Sequence, residues 1–225
     1  MKLKCLLLVT GSIFAASQAF GGTITVGLPA PSVNSFPFTD FADFGGVRYQ
    51  QVYAASAFSG TVAINGIEFY TSDTSATVSQ GSYQVHLSTT SAAVNGLDTS
   101  NLNNNDGADN TLVANWVLSA PLPVASGSSF EIPLSTSFIY DPANGNLLLD
   151  IFISSQSGGS GYLAAWDNDT SAPFSRAMQC TGCGGSSGYG LATGFVTGEA
   201  AVPEPGTFSF LGIVLLAAPF FRRRR

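Results

Sequence analysis

The chain has 225 residues, with 14 acidic side chains against 8 basic ones, a single histidine and three cysteines. Its charge is divided unevenly: residues 1–19 carry +2, residues 20–201 carry −11 and residues 202–225 carry +3. The central part holds Arg48 and Arg176 as its only cations and no lysine, which argues against nucleic acid or anionic lipid as partner and excludes a lysine isopeptide crosslink within it.

Residues 1–19 read as a cleaved secretory signal. Lys2 and Lys4 precede an apolar stretch from Cys5 to Ala16, and the small residues Ser17 and Ala19 stand at the minus-three and minus-one positions for signal peptidase. Cys5 begins the apolar stretch instead of following it, which argues against lipidation.

Residues 20–201 are long enough for one sizeable core, and their low charge with abundant Gly, Ser, Thr and Asn is common in exported β proteins. Short alternating runs bounded by turn residues recur, and none keeps helical periodicity for three turns. Strands are predicted at Thr61–Tyr70, where the apolar positions switch around Asn65-Gly66, and at Ser82–Ser88, where Tyr83, Val85 and Leu87 alternate with Gln84, His86 and Ser88. Thr111–Ser119 is predicted to place Leu112, Ala114, Trp116 and Leu118 on one face. Further strands are predicted at Phe130–Pro133, Ser137–Tyr140, the nearly continuous apolar run Asn146–Ile153, Tyr162–Trp166 and Gly190–Val196. The turn chemistry of Asp141-Pro142-Ala143-Asn144-Gly145 is expected to join its neighbours as a hairpin. Asp98–Asn110 and Gly182–Gly190 read as loops, and Thr71–Ser79 as a Ser/Thr-rich stretch open to glycosylation. The expected fold is all-β, an antiparallel β-sandwich or jelly roll.

The side chains that could carry chemistry are few. Any histidine base, triad or multi-histidine metal site has to run through His86, which falls on the polar side of its strand. The Asn-rich run around Asp106 and Asp109 has oxygen ligands that calcium favours, but its spacing fails the EF-hand pattern and an Asx-rich turn accounts for it equally. Trp166 beside Asp167 and Asp169 has the chemistry of a sugar contact, set against the commoner role of a tryptophan closing the end of a core. Cys180-Thr181-Gly182-Cys183 reads as a redox pair, half a zinc site or a small-loop disulfide; export favours the disulfide, and no second ligand pair exists for zinc. Glycoside hydrolysis needs two opposed carboxylates, and nothing in the spacing of Glu68 and Glu131 marks a pair. No catalytic residue and no cofactor is expected.

The C-terminus is the most specific part of the sequence. In Val202-Pro203-Glu204-Pro205-Gly206, the two prolines lack an N–H and bias the residues before them toward extended backbone, the form that proteases and transpeptidases bind. Residues 207–221 carry no charge and read as a membrane helix of roughly 22 Å, short for a bilayer core of about 30 Å. Arg222, Arg223, Arg224 and Arg225 then place the end of the span on the cytoplasmic side and the bulk of the chain outside. This ordered set of motif, apolar helix and arginine cluster resembles the PEP-CTERM sorting signal of Gram-negative bacteria. The resemblance implies recognition by exosortase, a membrane cysteine transpeptidase-like enzyme, with removal of the tail near the motif and delivery to the cell surface in bacteria that make exopolysaccharide. The expectation is therefore a transient single-pass protein of the inner membrane that becomes a surface or matrix protein, with a non-catalytic structural or adhesive sandwich. The alternatives are a carbohydrate-binding module for exopolysaccharide and, more remotely, a carboxylate-dependent glycoside hydrolase.

Overall fold

The computed structural model describes residues 21–27, 33–39, 46–166, 172–180 and 183–198. These residues form two antiparallel sheets with no α-helix, a β-sandwich. Among them no helix is long and apolar enough to cross a membrane; the signal segment 1–19 and the tail 202–225 lie outside the described residues.

One sheet is built on a long strand, β4 (Val62–Val78). It runs in the order β1 (Thr23–Val26), β14 (Thr193–Gly198), β4, β10 (Ser160–Trp166) and β13 (Gly190–Leu191). Strand β2 (Val33–Asn34) adds to β10, while β7 (Leu122–Val124) and β8 (Ser129–Tyr140) pair with β4. The predicted strand at Thr61–Tyr70 therefore continues through the Ser/Thr-rich stretch to Val78, because its second half pairs with β7 and β10. The switch at Asn65-Gly66 is a register shift: Ile64 pairs with Phe138 and Gly66 with Pro133, so residues 134–137 of β8 leave the ladder between them.

The other sheet has the order β12 (Cys183–Ser187), β11 (Phe174–Cys180), β3 (Val47–Tyr53), β9 (Asn146–Ser157), β5 (Gln80–Thr90) and β6 (Thr111–Leu118). In β3 the alternation is plain: Val47, Tyr49, Gln51 and Tyr53 face the first sheet, and Arg48, Gln50 and Val52 face away. Strand β9 buries its inner face, where Leu147, Leu149, Ile151 and Ile153 enter the main core; on its outer face Leu148 lies under a loop described below, followed by Asp150 and Phe152.

Three expectations are corrected. Leu112 is 41 % exposed and does not share a face with Ala114 and Trp116. Val85 pairs with Ala114 but His86 with Leu112, so Val113 is an inserted residue that turns inward and reverses the alternation before it. Asp141–Gly145 does not close a hairpin: β8 pairs with β4 in one sheet and β9 with β3 and β5 in the other, so the segment is a sheet-to-sheet crossing. It folds as a short 3-10 turn capped by the Asp141 carboxylate, which accepts from the Ala143 N–H at 3.0 Å. Within Gly182–Gly190, Cys183–Ser187 is strand β12, whose backbone pairs with β11 although it offers almost no apolar side chain.

The interior is aromatic at both ends. Phe38, Phe69, Phe130, Tyr83 and Trp116 pack at one end, with the Trp116 ring stacked on Phe130 at 5.9 Å. Tyr53, Phe58, Tyr140 and Phe195 pack at the other. Buried polar groups here serve as cross-links between the sheets. Gln51 accepts from the Leu191 N–H at 2.9 Å and donates to the Leu191 carbonyl at 2.8 Å, and Tyr53 donates to Thr193 at 2.8 Å. Each satisfied bond removes a burial cost of about 1–3 kcal/mol and fixes one sheet relative to the other. Burial pushes the Tyr49 hydroxyl up to about 12, against the pull of Arg176, so it remains a donor, here to Gln51.

Candidate functional site: the outer face of the second sheet

The face of the second sheet that points away from the core is divided into a covered half and an open half. The covering element is the Asn/Asp-rich segment after β5. Leu97 and Leu102, both buried, pack on Val52, Leu148 and Ala177 and form a small apolar cluster separate from the main core. Apolar anchors explain why so polar a segment lies down on a sheet.

Its polar residues hold its own shape and tie it to β3 and β5. Asp98 accepts from the N–H and hydroxyl of Ser100 at 2.8 and 2.6 Å, from Asn101 N–H at 3.1 Å and from Asn104 at 2.7 Å, and these bonds to Ser100, Asn104 and Asn101 hold its carboxyl well below the usual carboxylate range. Asn105 is buried, donates to Gln50 at 2.8 Å and to the Asp98 carbonyl at 2.9 Å, and accepts from the Asp98 N–H at 2.8 Å. Asp109 accepts from the Thr89 N–H at 2.7 Å.

At the border of the covered half sits an ion cluster. The Arg48 guanidinium reaches the Asp150 carboxylate at 2.6 Å and the Asp106 carboxylate at 3.0 Å, with Asp150 only 2 % exposed. Gln50 donates to Asp106 at 3.0 Å, and Asn103 accepts from Arg48 at 2.5 Å. Burial pushes the Asp150 carboxyl up while Arg48 pulls it back; burial opposes the charge of Arg48, but Asp150 and Asp106 together raise its pKa above the ordinary value. Such a cluster secures the loop to β3 and β9, since removing its cation would leave a buried carboxylate without compensation.

Beyond the cluster the face is open. One row runs in register across four strands: Gln179 pairs with Arg48, Arg48 with Phe152, and Phe152 with Gln84. An open cleft of about 580 Å³ lies along it, bordered by Gly46, Ser82 and Ser154. The Phe152 ring lies under the Arg48 guanidinium at 4.4 Å and meets the edge of His86 at 5.5 Å. His86 is half-buried, with its Nδ1 at 3.2 Å from the Asn110 side-chain oxygen.

The residues singled out from sequence are scattered. Asp106 and Asp109 are both on the covering loop, engaged by Arg48 with Gln50 and by Thr89 respectively. Among the described residues no group of three or more His, Cys, Asp or Glu is placed to hold a metal ion. Cys180 is disulfide-bonded, and the register sets Cys183 directly opposite it. The backbone of Trp166 pairs with Gly190, while its side chain, Asp167 and Asp169 lie outside the described residues, as do Val202 to Gly206 and Arg222 to Arg225.

Glu68 and Glu131, which no spacing in the sequence links, are direct partners between β4 and β8 on the outer face of the first sheet. Gly66 and Gly194 make room there, since a Cβ on Gly66 would collide with the Glu131 carboxylate and one on Gly194 with the Tyr70 hydroxyl, which donates to Glu68 at 3.0 Å. On this face Glu131 is exposed and Glu68 half-buried.

Arg48, Gln50, Phe152 and Gln179 were missed from sequence. The available signal was the alternation Val47, Tyr49, Gln51, Tyr53 in β3, which puts Arg48 and Gln50 together on the other side.

No curated protein and no solved structure matched the chain. A family model did match at the C-terminus, over residues 201–225, and no family covers the remainder. The chain thus carries a PEP-CTERM protein-sorting motif, which implies export and processing by exosortase.

Proposed function

We propose that the processed protein is a surface or extracellular-matrix component whose sandwich acts without catalysis, as a structural or adhesive unit. The observation that carries this reading is the sorting motif at residues 201–225 on a two-sheet sandwich. Its support within the fold is the use made of the charged groups: Arg48 is shared by Asp106 and Asp150, and Asp98 and Asp109 hold loop backbone. Groups held in this way build a durable surface and are poorly placed to exchange protons with a substrate.

Route and role are tested by the intact mass of the protein recovered from the native host's surface or medium, with and without its exosortase. The expected result is loss of residues 1–19 in both strains and of the residues after Pro203-Glu204-Pro205 only when exosortase is present, with replacement of Pro203 and Pro205 by Ala blocking tail removal. A full-length C-terminus in both strains would make this a permanently anchored membrane protein and withdraw the matrix role.

A further inference from the structure

We propose that the open half of the second sheet's outer face is a binding site for a neutral oligosaccharide, lying along the row Gln179, Arg48, Phe152 and Gln84. This rests on the adhesive reading and supplies its ligand class.

The cleft of about 580 Å³ is bordered by two carboxamides, Gln84 and Gln179, two hydroxyls, Ser82 and Ser154, and one aromatic ring, Phe152; no carboxylate is among its lining residues. A carboxamide presents an acceptor and a two-hydrogen donor in one plane, which matches a ligand whose neighbouring hydroxyls each donate and accept. Both glutamines are exposed, so binding would exchange their solvent bonds for ligand bonds without burying new charge.

The four residues stand in register on four adjacent strands, which places the two carboxamides about 14 Å apart at ordinary strand spacing. A straight row of that length, open to solvent along one side, suits an extended chain of sugar units better than a small compact metabolite. The row is stiff: its backbone is sheet throughout, and the ring of Phe152 is held between Arg48 and His86. Stiffness lowers the ordering cost of binding.

The charge of the row selects a neutral ligand. Arg48 is the one cation in the row, and its guanidinium is already shared between Asp106 and Asp150, leaving the cluster with one net negative charge. A phosphate or an acidic sugar would meet that charge without a cation to itself.

The test uses protein recovered from the host surface, applied to a printed panel of neutral and acidic oligosaccharides. The comparison variants are Gln84→Ala with Gln179→Ala, both at exposed positions, and Trp166→Ala, with thermal unfolding run on each to confirm the fold. Binding of neutral oligosaccharides is expected, insensitive to high salt, weakened about tenfold or more by the double glutamine variant and unchanged by Trp166→Ala. Absence of neutral-glycan binding by the wild type, binding confined to acidic glycans, or binding that survives loss of both glutamines would overturn the proposal. Attachment of the same wild-type protein to host cells is measured in parallel. Attachment without glycan binding overturns this site alone, and failure of both overturns the adhesive reading with it.

Discussion

The two outer faces of the sandwich treat carboxylates in opposite ways. On the first sheet, Glu68 and Glu131 stand directly opposite each other and make no salt bridge among the described residues, and glycines at 66 and 194 leave room for the Glu131 carboxylate and the Tyr70 hydroxyl. On the second sheet, Asp150 is 2 % exposed, and it shares Arg48 with Asp106 beneath a loop. Solvent tolerates a like-charge pair at a cost of a fraction of a kcal/mol, whereas a buried carboxylate without its cation costs several. One of only two cations in residues 20–201 is therefore placed at the covered face, where it is worth most.

The largest effect should come from the covered face. Arg48→Met would leave Asp150 buried beside Asp106 with no compensating charge, and urea unfolding should show a loss of about 3–5 kcal/mol. Adding Asp150→Leu should restore most of it; a double variant no better than the single one would show that Arg48 acts mainly by packing on Phe152. On the open face the sign reverses. Glu131→Gln relieves the cross-strand repulsion and should stabilise by about 0.2–1 kcal/mol, more at low salt, and a destabilisation would mean that the carboxylate over Gly66 makes a needed contact.

The smallest effect concerns the loop that separates the faces in character. The carboxyl of Asp98 lies below its ordinary value because Ser100, Asn104 and Asn101 donate to it. Its folded pKa is thus lower than its unfolded one. The stabilisation is present above the ordinary carboxylate range and is lost as pH falls through the folded value. Asp98→Asn should be slightly less stable than wild type near neutrality and should converge with it as the pH drops below about 4. A gap that stays constant with pH would assign the effect to shape alone.

Sequence patterning reached the fold where a strand is alternately wet and dry. Tyr83, Val85 and Leu87 read correctly because one side of β5 meets the main core, and Asn65-Gly66 marked the place where β4 shifts register. Patterning failed where pairing alone makes a strand. Cys183–Ser187 is Gly/Ser-rich and is a strand because β11 offers it a ladder, which composition cannot reveal. It failed again at β6, where one inserted residue, Val113, exchanges the faces of everything before it. The turn at Asp141–Gly145 was visible as a turn, but which sheet receives the next strand depends on contacts distant in sequence. The candidate site was hardest to see, since Gln179, Arg48, Phe152 and Gln84 come from four separated strands and are ordinary residues until register aligns them.

The place of β14 in the first sheet sets a schedule for export. This last strand is inserted between the first, β1, and β4, with Thr197 donating to the Gly22 carbonyl at 2.7 Å. A chain leaving the cytoplasm from its N-terminus delivers β1 and β4 early, and each must wait with an unpaired edge until residues 193–198 arrive. The sorting motif at residues 201–225 follows directly. Completion of the sheet and emergence of the sorting motif are therefore nearly simultaneous, so a processing enzyme that acts on the motif meets a domain that has just closed its last seam.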